Sequence, residues 1–373
     1  MRRALVILIA LAAPWTAHAY DLEQASDGAP VRWASGFTLY VDASSRNVSA
    51  SDVMAAATAA GAQWSKAAAV DVEVQSEPQH GEPGYDPEHA EGNRSEVIFV
   101  ESDWEYDMDV AATTLVTTDT VTHQIVDADI LVNEDQNRFD VLPANSKPGY
   151  GLELDLQGCL THELGHALGL AHSAGHAEAT MFAGTEVGEI SKRELAPDDV
   201  DGVQFLYGTP GSPKTPCAAG CTAGLGPDGV ASLLAALSAL ASARRRRRAR
   251  MLACGLVFAG LTLAVAATAW ADEGSRSPRP AENVEKVLAG QVTHTVSRWQ
   301  GGRIYTDVEV EVATCSSGSC DSVETYRVPG GTVGRLQQQL GDVHVPAPGE
   351  DVQVSLARAR DGHLRPLVAA SHR

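Results

Sequence analysis

Positions 161 to 173 read THELGHALGLAHS, three histidines and one glutamate in thirteen residues. On a helix, His162 and His166 stand four residues apart on one face, about 6 Å along the axis, so both imidazoles can converge on one ion. HExxH alone also occurs on ordinary solvated helices. Gly169 argues for more, because glycine ends a helix in the left-handed conformation and turns the chain back. That turn lets His172 supply a third nitrogen. Three neutral imidazoles around a single zinc leave a fourth position for water, the pattern of a catalytic rather than a structural zinc. Zinc lowers the pKa of such a water towards ~7, and Glu163, next to the first ligand, can accept its proton. The expected chemistry is attack of that water on a polarised peptide carbonyl, with Glu163 passing the proton to the leaving amine.

His162, Glu163, His166, Gly169 and His172 together make the HExxHxxGxxH signature of the metzincins, and the flanking residues narrow it. Ser173 follows the third histidine directly, Met181 lies in ATMF, and APDDVDGVQFLYG occupies 196–208. Upstream stand Trp33, LYVD, AQWSKAA and DADILVNED. Over about residues 30–208 the chain resembles the matrixins, the matrix-metalloproteinase-like zinc endopeptidases.

The resemblance implies protein or peptide substrates and several further roles. Met181 is the Met-turn residue beneath the zinc, and Asp198 and Asp199 anchor the last helix to the active-site region. Residues 182–195 wall the pocket for the side chain after the scissile bond, with a hydrophobic preference, and an extended substrate pairs with the strand near Thr113–Thr117 by strand addition. Matrixins often carry Ca2+, and Asp103, Asp107, Asp109, Asp127, Asp129 and Asp135 offer hard oxygens. The competing reading of those six is a solvated acidic surface. A second, structural zinc at His80, Asp86, His89 and His123 fits the family spacing poorly, so these read as surface histidines. No cysteine precedes Cys159, so no cysteine-switch latency is expected, and Cys159 itself reads as core. The alternative to an enzyme is a zinc-stabilised, non-catalytic binding or adhesion module of the cell envelope. Glu163 separates the two, since a module that cuts nothing has no need of that carboxylate.

Hydrophobic periodicity gives the elements that must hold these residues. GFTLYVD (36–42) alternates as a strand, and residues 51–69 read as a helix opened by Ser51 or Asp52. Strands follow at Val70–Val74, Glu96–Glu101, Thr113–Thr117 and Ala128–Val132, interrupted by a polar loop at 79–94. Near residue 155 strands give way to helices, the last at Asp198–Tyr207. The expected class is α+β: a metzincin-like catalytic domain over 20–208 with a twisted mixed sheet, an active-site helix and a C-terminal helix.

The chain of 373 residues carries a formal charge of -20, and residues 20–208 hold 34 Asp and Glu against 8 Lys and Arg. That balance excludes nucleic acid as a partner of this half. Residues 1–19 have a basic start, an apolar run and a small-x-small ending at Ala17-His18-Ala19, the form of a signal peptide cleaved before Tyr20. The apolar run is shorter than the ~20 residues of a membrane-spanning helix. Export to a secreted or outer-surface location is therefore expected.

Beyond Gly208, residues 209–229 have the Pro, Gly and Ser content of a linker. An apolar run with an arginine cluster (230–250) and an uncharged stretch of 21 residues, 251–271, come next. One reading makes this a membrane hairpin with its arginines in the cytoplasm. The other takes 230–250 as a sorting tag resembling those of myxobacterial, hence bacterial, surface proteins, and 251–271 as a second signal peptide ending at Ala269-Trp270-Ala271. Membrane association through 230–271 follows from the first reading only. Residues 272–373 alternate with period two in GRIYTDVEVEVATC, TYRVPGG and EDVQVSLAR, which predicts a small all-β domain. CSSGSC offers Cys315 and Cys320 for a short loop closure. No motif there carries chemistry, and nothing in the chain specifies an oligomeric state.

Overall fold

Phe37, Leu39 and Val41 point inward along β1 (Phe37–Val41), the period-two burial of a strand with one face on a core. The computed structural model describes residues 20–77, 81–106, 109–174, 176–212, 284–341, 343–359 and 361–367. The signal-peptide segment 1–19, the tag or membrane arm 230–250, the run 251–271 and most of the linker 209–229 lie outside them. No helix among the described residues is long and apolar enough to cross a membrane.

Helix α1 (Ala50–Ala67) follows β1 and buries Val53, Ala56, Ala57, Ala60 and Trp64. Its N-cap is Ser49 rather than Ser51 or Asp52: the Ser49 Oγ accepts from the Asp52 N–H at 3.2 Å. The cap sits earlier because Ser49 is the residue with extended backbone, φ −64° and ψ 148°, while Ser51 already lies in the helix. Strands β2 (Val72–Ser76) and β3 (Ser95–Val100) flank β1 in parallel. Strand β4 (Ala112–Asp119) turns back antiparallel onto β5 (Gln124–Asn133), which pairs in parallel with β3. The result is the mixed sheet expected of an α+β domain.

A two-stranded piece, β6 (Phe139–Asp140) with β7 (Leu154–Asp155), leads into α2 (Leu156–Ala167). Helix α3 (Pro197–Tyr207) closes the first half, with Pro197 at its opening position. Leu156, Leu160 and Leu164 of α2, Trp64 of α1 and Val203 of α3 meet in one core with the sheet.

The C-terminal part is all-β, as its alternation predicts. Strands β8 (Lys286–Gln300), β9 (Arg303–Ser317) and β10 (Val323–Pro329) form a meander. The chain then makes β11 (Gly331–Val333) and β12 (Leu336–Leu340) before returning as β13 (Asp351–Arg358) and β14 (Leu364–Pro366). Cys315 and Cys320 are joined, Cα to Cα 6.0 Å, across the β9–β10 turn. A five-stranded sheet in the order β10-β9-β8-β13-β14 packs over its own core of Leu288, Val308, Val310, Tyr326 and Leu356.

The difference from the sequence expectation lies in β11 and β12. They leave that sheet and extend the other one, whose order is β11-β12-β4-β5-β3-β1-β2. Part of the tail thus joins the first sheet, and the described residues on both sides of the linker fall in one compact unit. It also explains why β4 is longer than the expected Thr113–Thr117 and buried at all eight positions: it is an interior strand.

Candidate metal centre and active site

Asp155 opens α2, its Oδ2 accepting from the Gly158 N–H at 2.8 Å. Arg193 holds that carboxylate from the other side, Nε to Oδ2 2.7 Å. Trp64 ties α1 to the middle of α2, its indole N–H donating to the Thr161 carbonyl at 2.9 Å within the core. These contacts fix the helix on which His162, Glu163 and His166 stand.

The helix ends as the glycine predicts. Gly169 has φ +96°, its N–H donates to the His166 carbonyl at 2.8 Å, and the Leu170 N–H donates to the Gly165 carbonyl at 2.9 Å. This 5→2 and 6→1 pair is a Schellman turn. A Cβ at Gly169 would lie 2.3 Å from the Val31 carbonyl oxygen, so close approach as well as backbone conformation demands glycine. The returning strand is secured by the N-terminal segment, with Glu23 N–H to Gly169 carbonyl at 3.0 Å and Ala171 N–H to Asp21 carbonyl at 3.0 Å.

His172 thereby comes back over α2. Its Nε2 lies 3.0 Å from the His162 Nε2 and 3.2 Å from the His166 Nε2. Nitrogens at ~2.0–2.1 Å from one tetrahedral zinc stand about 3.3 Å apart, so the three residues fit that ion. The inner nitrogens are spoken for: Nδ1–H of His162 donates to the Thr180 carbonyl at 2.6 Å, and Nδ1–H of His166 to the Leu170 carbonyl at 2.9 Å. Such bonds fix the tautomer and aim the Nε2 lone pairs at a common point. Burial, and then His166, His172 and Lys192, hold the His162 imidazole well below its ordinary pKa, against the pull of the Thr180 carbonyl. Neutral imidazole is the form that ligates. These three histidines form the one convergent ligand group among the described residues.

Glu163 is buried, and the Thr114 hydroxyl on β4 donates to its Oε2 at 2.7 Å. The same hydroxyl lies 3.1 Å from the Glu163 carbonyl oxygen. Thr114 was not singled out by the sequence, although it falls in the strand expected to pair with substrate; a threonine in a strand carries no signal of its own.

Met181 is 1% exposed and packs under α2 at Gly165, where a Cβ would meet its sulfur at 2.2 Å and the Trp64 ring at 3.0 Å. Its N–H donates to Asp199 Oδ1 at 3.0 Å, and the Thr180 and Ala196 N–H groups both donate to Asp199 Oδ2 at 2.8 Å. One buried carboxylate thus joins the methionine turn to the start of α3. Asp198 receives the Ser173 hydroxyl, next to His172 in the chain. Lys192, also unnoticed in the sequence, is buried and donates from Nζ to the Thr180 carbonyl at 2.9 Å. The carbonyl that orients His162 is therefore itself held.

The remaining candidates separate. Of the second zinc set, Asp86 and His89 pair at 2.8 Å, whereas His123 pairs with Asp27 at 2.9 Å; His80 lies outside the described residues. Asp103 and Asp109 are exposed, Asp107 lies outside the described residues, and Asp135 is partly buried and accepts from the Trp104 N–H at 3.2 Å. Asp127 and Asp129 contradict the solvated-surface reading, being 1% and 2% exposed. Asp129 accepts from the Gly84 N–H at 2.6 Å and the Glu96 N–H at 3.0 Å, which is how β5 holds the loop after β2. Cys159 is a free thiol raised well above its ordinary pKa chiefly by burial, in keeping with a core role.

A helix bearing HExxH, a third histidine returned by a left-handed glycine and a methionine turn beneath them define a metzincin-type domain. Within that class, residues 33–208 match the matrixin family model, and this part of the chain belongs to the matrixins. Stretches of it are similar to stromelysin-1 of Mus musculus, 56% identical over 50 residues, covering 13% of this chain and 10% of the relative. Metalloendoproteinase 5-MMP of Arabidopsis thaliana is 38% identical over 82 residues, covering 22% of this chain and 21% of the relative. Matrix metalloproteinase-25 of Homo sapiens is 46% identical over 72 residues, covering 19% and 12%. The chain thus spans no more than about a fifth of the length of these relatives.

Proposed function

We propose that the first half of the chain is a secreted or surface zinc-dependent endopeptidase that hydrolyses internal peptide bonds of proteins, with Glu163 as general base. The observation that carries the reading is the convergence of three imidazole Nε2 atoms, two of them with Nδ1 fixed by buried backbone carbonyls, beside a carboxylate fixed by Thr114. Family membership of residues 33–208 supports it.

Bound at His162, His166 and His172, zinc supplies a Lewis acid that polarises the scissile carbonyl and acidifies water. The protein's own residues do the rest. Glu163 takes the proton of the attacking water and delivers it to the leaving nitrogen. Thr114 holds one carboxylate oxygen, which keeps the other oriented for that transfer. Met181, packed against Gly165, gives the two helical histidines a rigid floor, and Asp199 holds the methionine turn. Residues 182–195 remain the proposed wall of the specificity pocket.

The test uses the full chain: zinc by elemental analysis, and hydrolysis of quenched peptides with and without chelator. One zinc per chain is expected, with hydrolysis lost on chelation and reduced about 10²–10⁴-fold in Glu163→Ala. A chain without zinc, or a Glu163→Ala chain that cuts as fast as its parent, would sink the reading. Export rests on residues 1–19, and Tyr20 as the N-terminus of the mature product is its check.

A further inference from the structure

In the first half of the chain taken alone, β4 has one paired side, on β5, and one open side. An open strand edge offers a row of N–H and C=O groups to any extended peptide. Here the chain fills that edge itself. Strand β12 runs antiparallel to β4 with Leu336 opposite Asp119 and Leu340 opposite Leu115. The pairing continues past both ends of the ladder, with Thr120 N–H to Arg335 carbonyl at 2.8 Å and Gly341 N–H to Thr114 carbonyl at 3.0 Å.

That last bond falls at the residue that matters most. Thr114 holds Glu163 through its hydroxyl, so a single residue separates the tail backbone from the general base. Side chains seal the contact. Leu340 is 1% exposed in a cluster with Leu115 and Leu131, and Val343, Trp104 and Tyr106 pack against it. Gln338, also 1% exposed, donates to the Thr117 hydroxyl at 3.2 Å, and Arg335 pairs with Asp119. Between Leu336 and Leu340 the strand reads LQQQL, with no charge and no proline.

We propose that Leu336–Gly341 is an internal occupant of the peptide-binding edge of the endopeptidase: it lies where an extended substrate would pair with β4, and substrate enters only when this strand leaves. This rests on the endopeptidase reading for what the edge normally takes. The occupant comes from the far side of the linker and contains no cysteine.

The probe is a fluorescein-labelled peptide of sequence RLQQQLG, residues 335–341, added to the zinc-loaded full chain and to two variants. Gly341→Pro removes the N–H that reaches Thr114 and forces a residue with φ +45° towards −65°. Leu340→Asp puts a charge among Leu115 and Leu131. Peptide binding at least tenfold tighter in the variants than in the parent, with quenched-peptide hydrolysis raised at least tenfold, is expected. Val323→Thr, at an exposed position of β10, should behave as the parent.

Against misfolding of those variants, a double variant Thr117→Cys with Gln338→Cys locks the paired strands reversibly, since the two residues face each other in the register. Oxidation should suppress peptide capture and hydrolysis, and reduction should restore them. Glu163-dependent hydrolysis equal in parent, variants and both states of the lock would overturn the occupancy and leave the endopeptidase standing. Capture of the peptide by the variants and the reduced lock, with no hydrolysis in any form, would do the reverse.

Discussion

The two sides of β4 are built by different kinds of information. On the α2 side the partners of Thr114 lie in a motif of eleven residues, His162 to His172, whose specified positions answer to proposed coordination, proton transfer or backbone conformation. On the β12 side the partner is a stretch of leucines and glutamines more than 200 residues away, bound by main-chain pairing. Coordination chemistry is selective about side chains and therefore visible in a sequence. Strand addition uses groups that every residue but proline possesses, and so leaves little trace.

The largest effect that can test the contrast lies within the motif. His166→Ala removes one of the three proposed ligands, whose position is fixed by the Leu170 carbonyl, and two histidines remain. Zinc content should fall to near background, and hydrolysis by at least about a thousandfold. Elemental analysis beside the kinetic assay separates loss of metal from loss of chemistry. No change in the helical circular dichroism is expected, because α2 is held by Leu156, Leu160 and Leu164 rather than by the ion.

Next in size is Gly169→Ala. It forces a non-glycine residue to φ +96° and drives a methyl group into the Val31 carbonyl. A cost of about 2–4 kcal/mol is expected from strain and overpacking together. Denaturant unfolding reads the stability, and a competitive chelator reads zinc affinity, which should weaken as His172 shifts. Unchanged zinc affinity would show that the turn shapes the fold without positioning the ligand.

This site was legible because its constraints are local, and so were α1, α2, α3 and most strands of the first half. Asp199 was legible only through the family resemblance: a carboxylate receiving three N–H groups from positions 180, 181 and 196 has no sequence signature. Thr114 and Lys192 were illegible for the same reason. In the tail, alternation gave β9, β10 and β13, because one face of each packs on a core. β12 has no such signal because three glutamines in a row show no alternation, although Gln338 points into the interior and is satisfied there by Ile304, Thr117 and Gly302.

Truncating one leucine on each side of β4 sharpens the comparison further. Leu164→Ala empties a fully buried site on α2 and should cost about 3–4 kcal/mol, whereas Leu340→Ala, in a smaller cluster, should cost about 2–3 kcal/mol. If the tail is part of the first sheet, both variants lower the same cooperative transition seen by tryptophan fluorescence and circular dichroism. Two transitions, with Leu340→Ala moving only one, would show that β12 docks on a sheet that is complete without it.

The gentlest effect concerns the buried acids of β5, behind the strand that β12 covers. Burial is the first cause that lifts the Asp129 carboxyl to about 7, Glu96 adding to it while the Gly84 and Glu96 N–H groups and Arg303 oppose. Asp127 is raised as well, by burial and by Asp129 and Glu96, and the Ser95 hydroxyl only partly offsets this. A carboxyl whose pKa is higher folded than unfolded binds more protons in the folded state, so its contribution is fully present below about 4 and is lost as pH rises towards 7. The acids' own contribution should therefore decline over that window, by at most ~1.4 kcal/mol per pH unit for each proton taken up, while His162, held neutral in the fold, acts in the opposite sense below about 6.5. Asp127→Asn keeps the shape and removes one buried charge, so the difference between parent and variant in urea midpoints, measured at closely spaced pH values, isolates that decline. A difference of opposite sign, the parent gaining stability relative to Asp127→Asn from pH 4 to 7, would mean that the pair is held ionised. Arg303, the tail residue that also pairs with Glu105 at 3.0 Å, would then be the counter-charge, and the tail would stabilise the sheet through charge as well as through the backbone of β12.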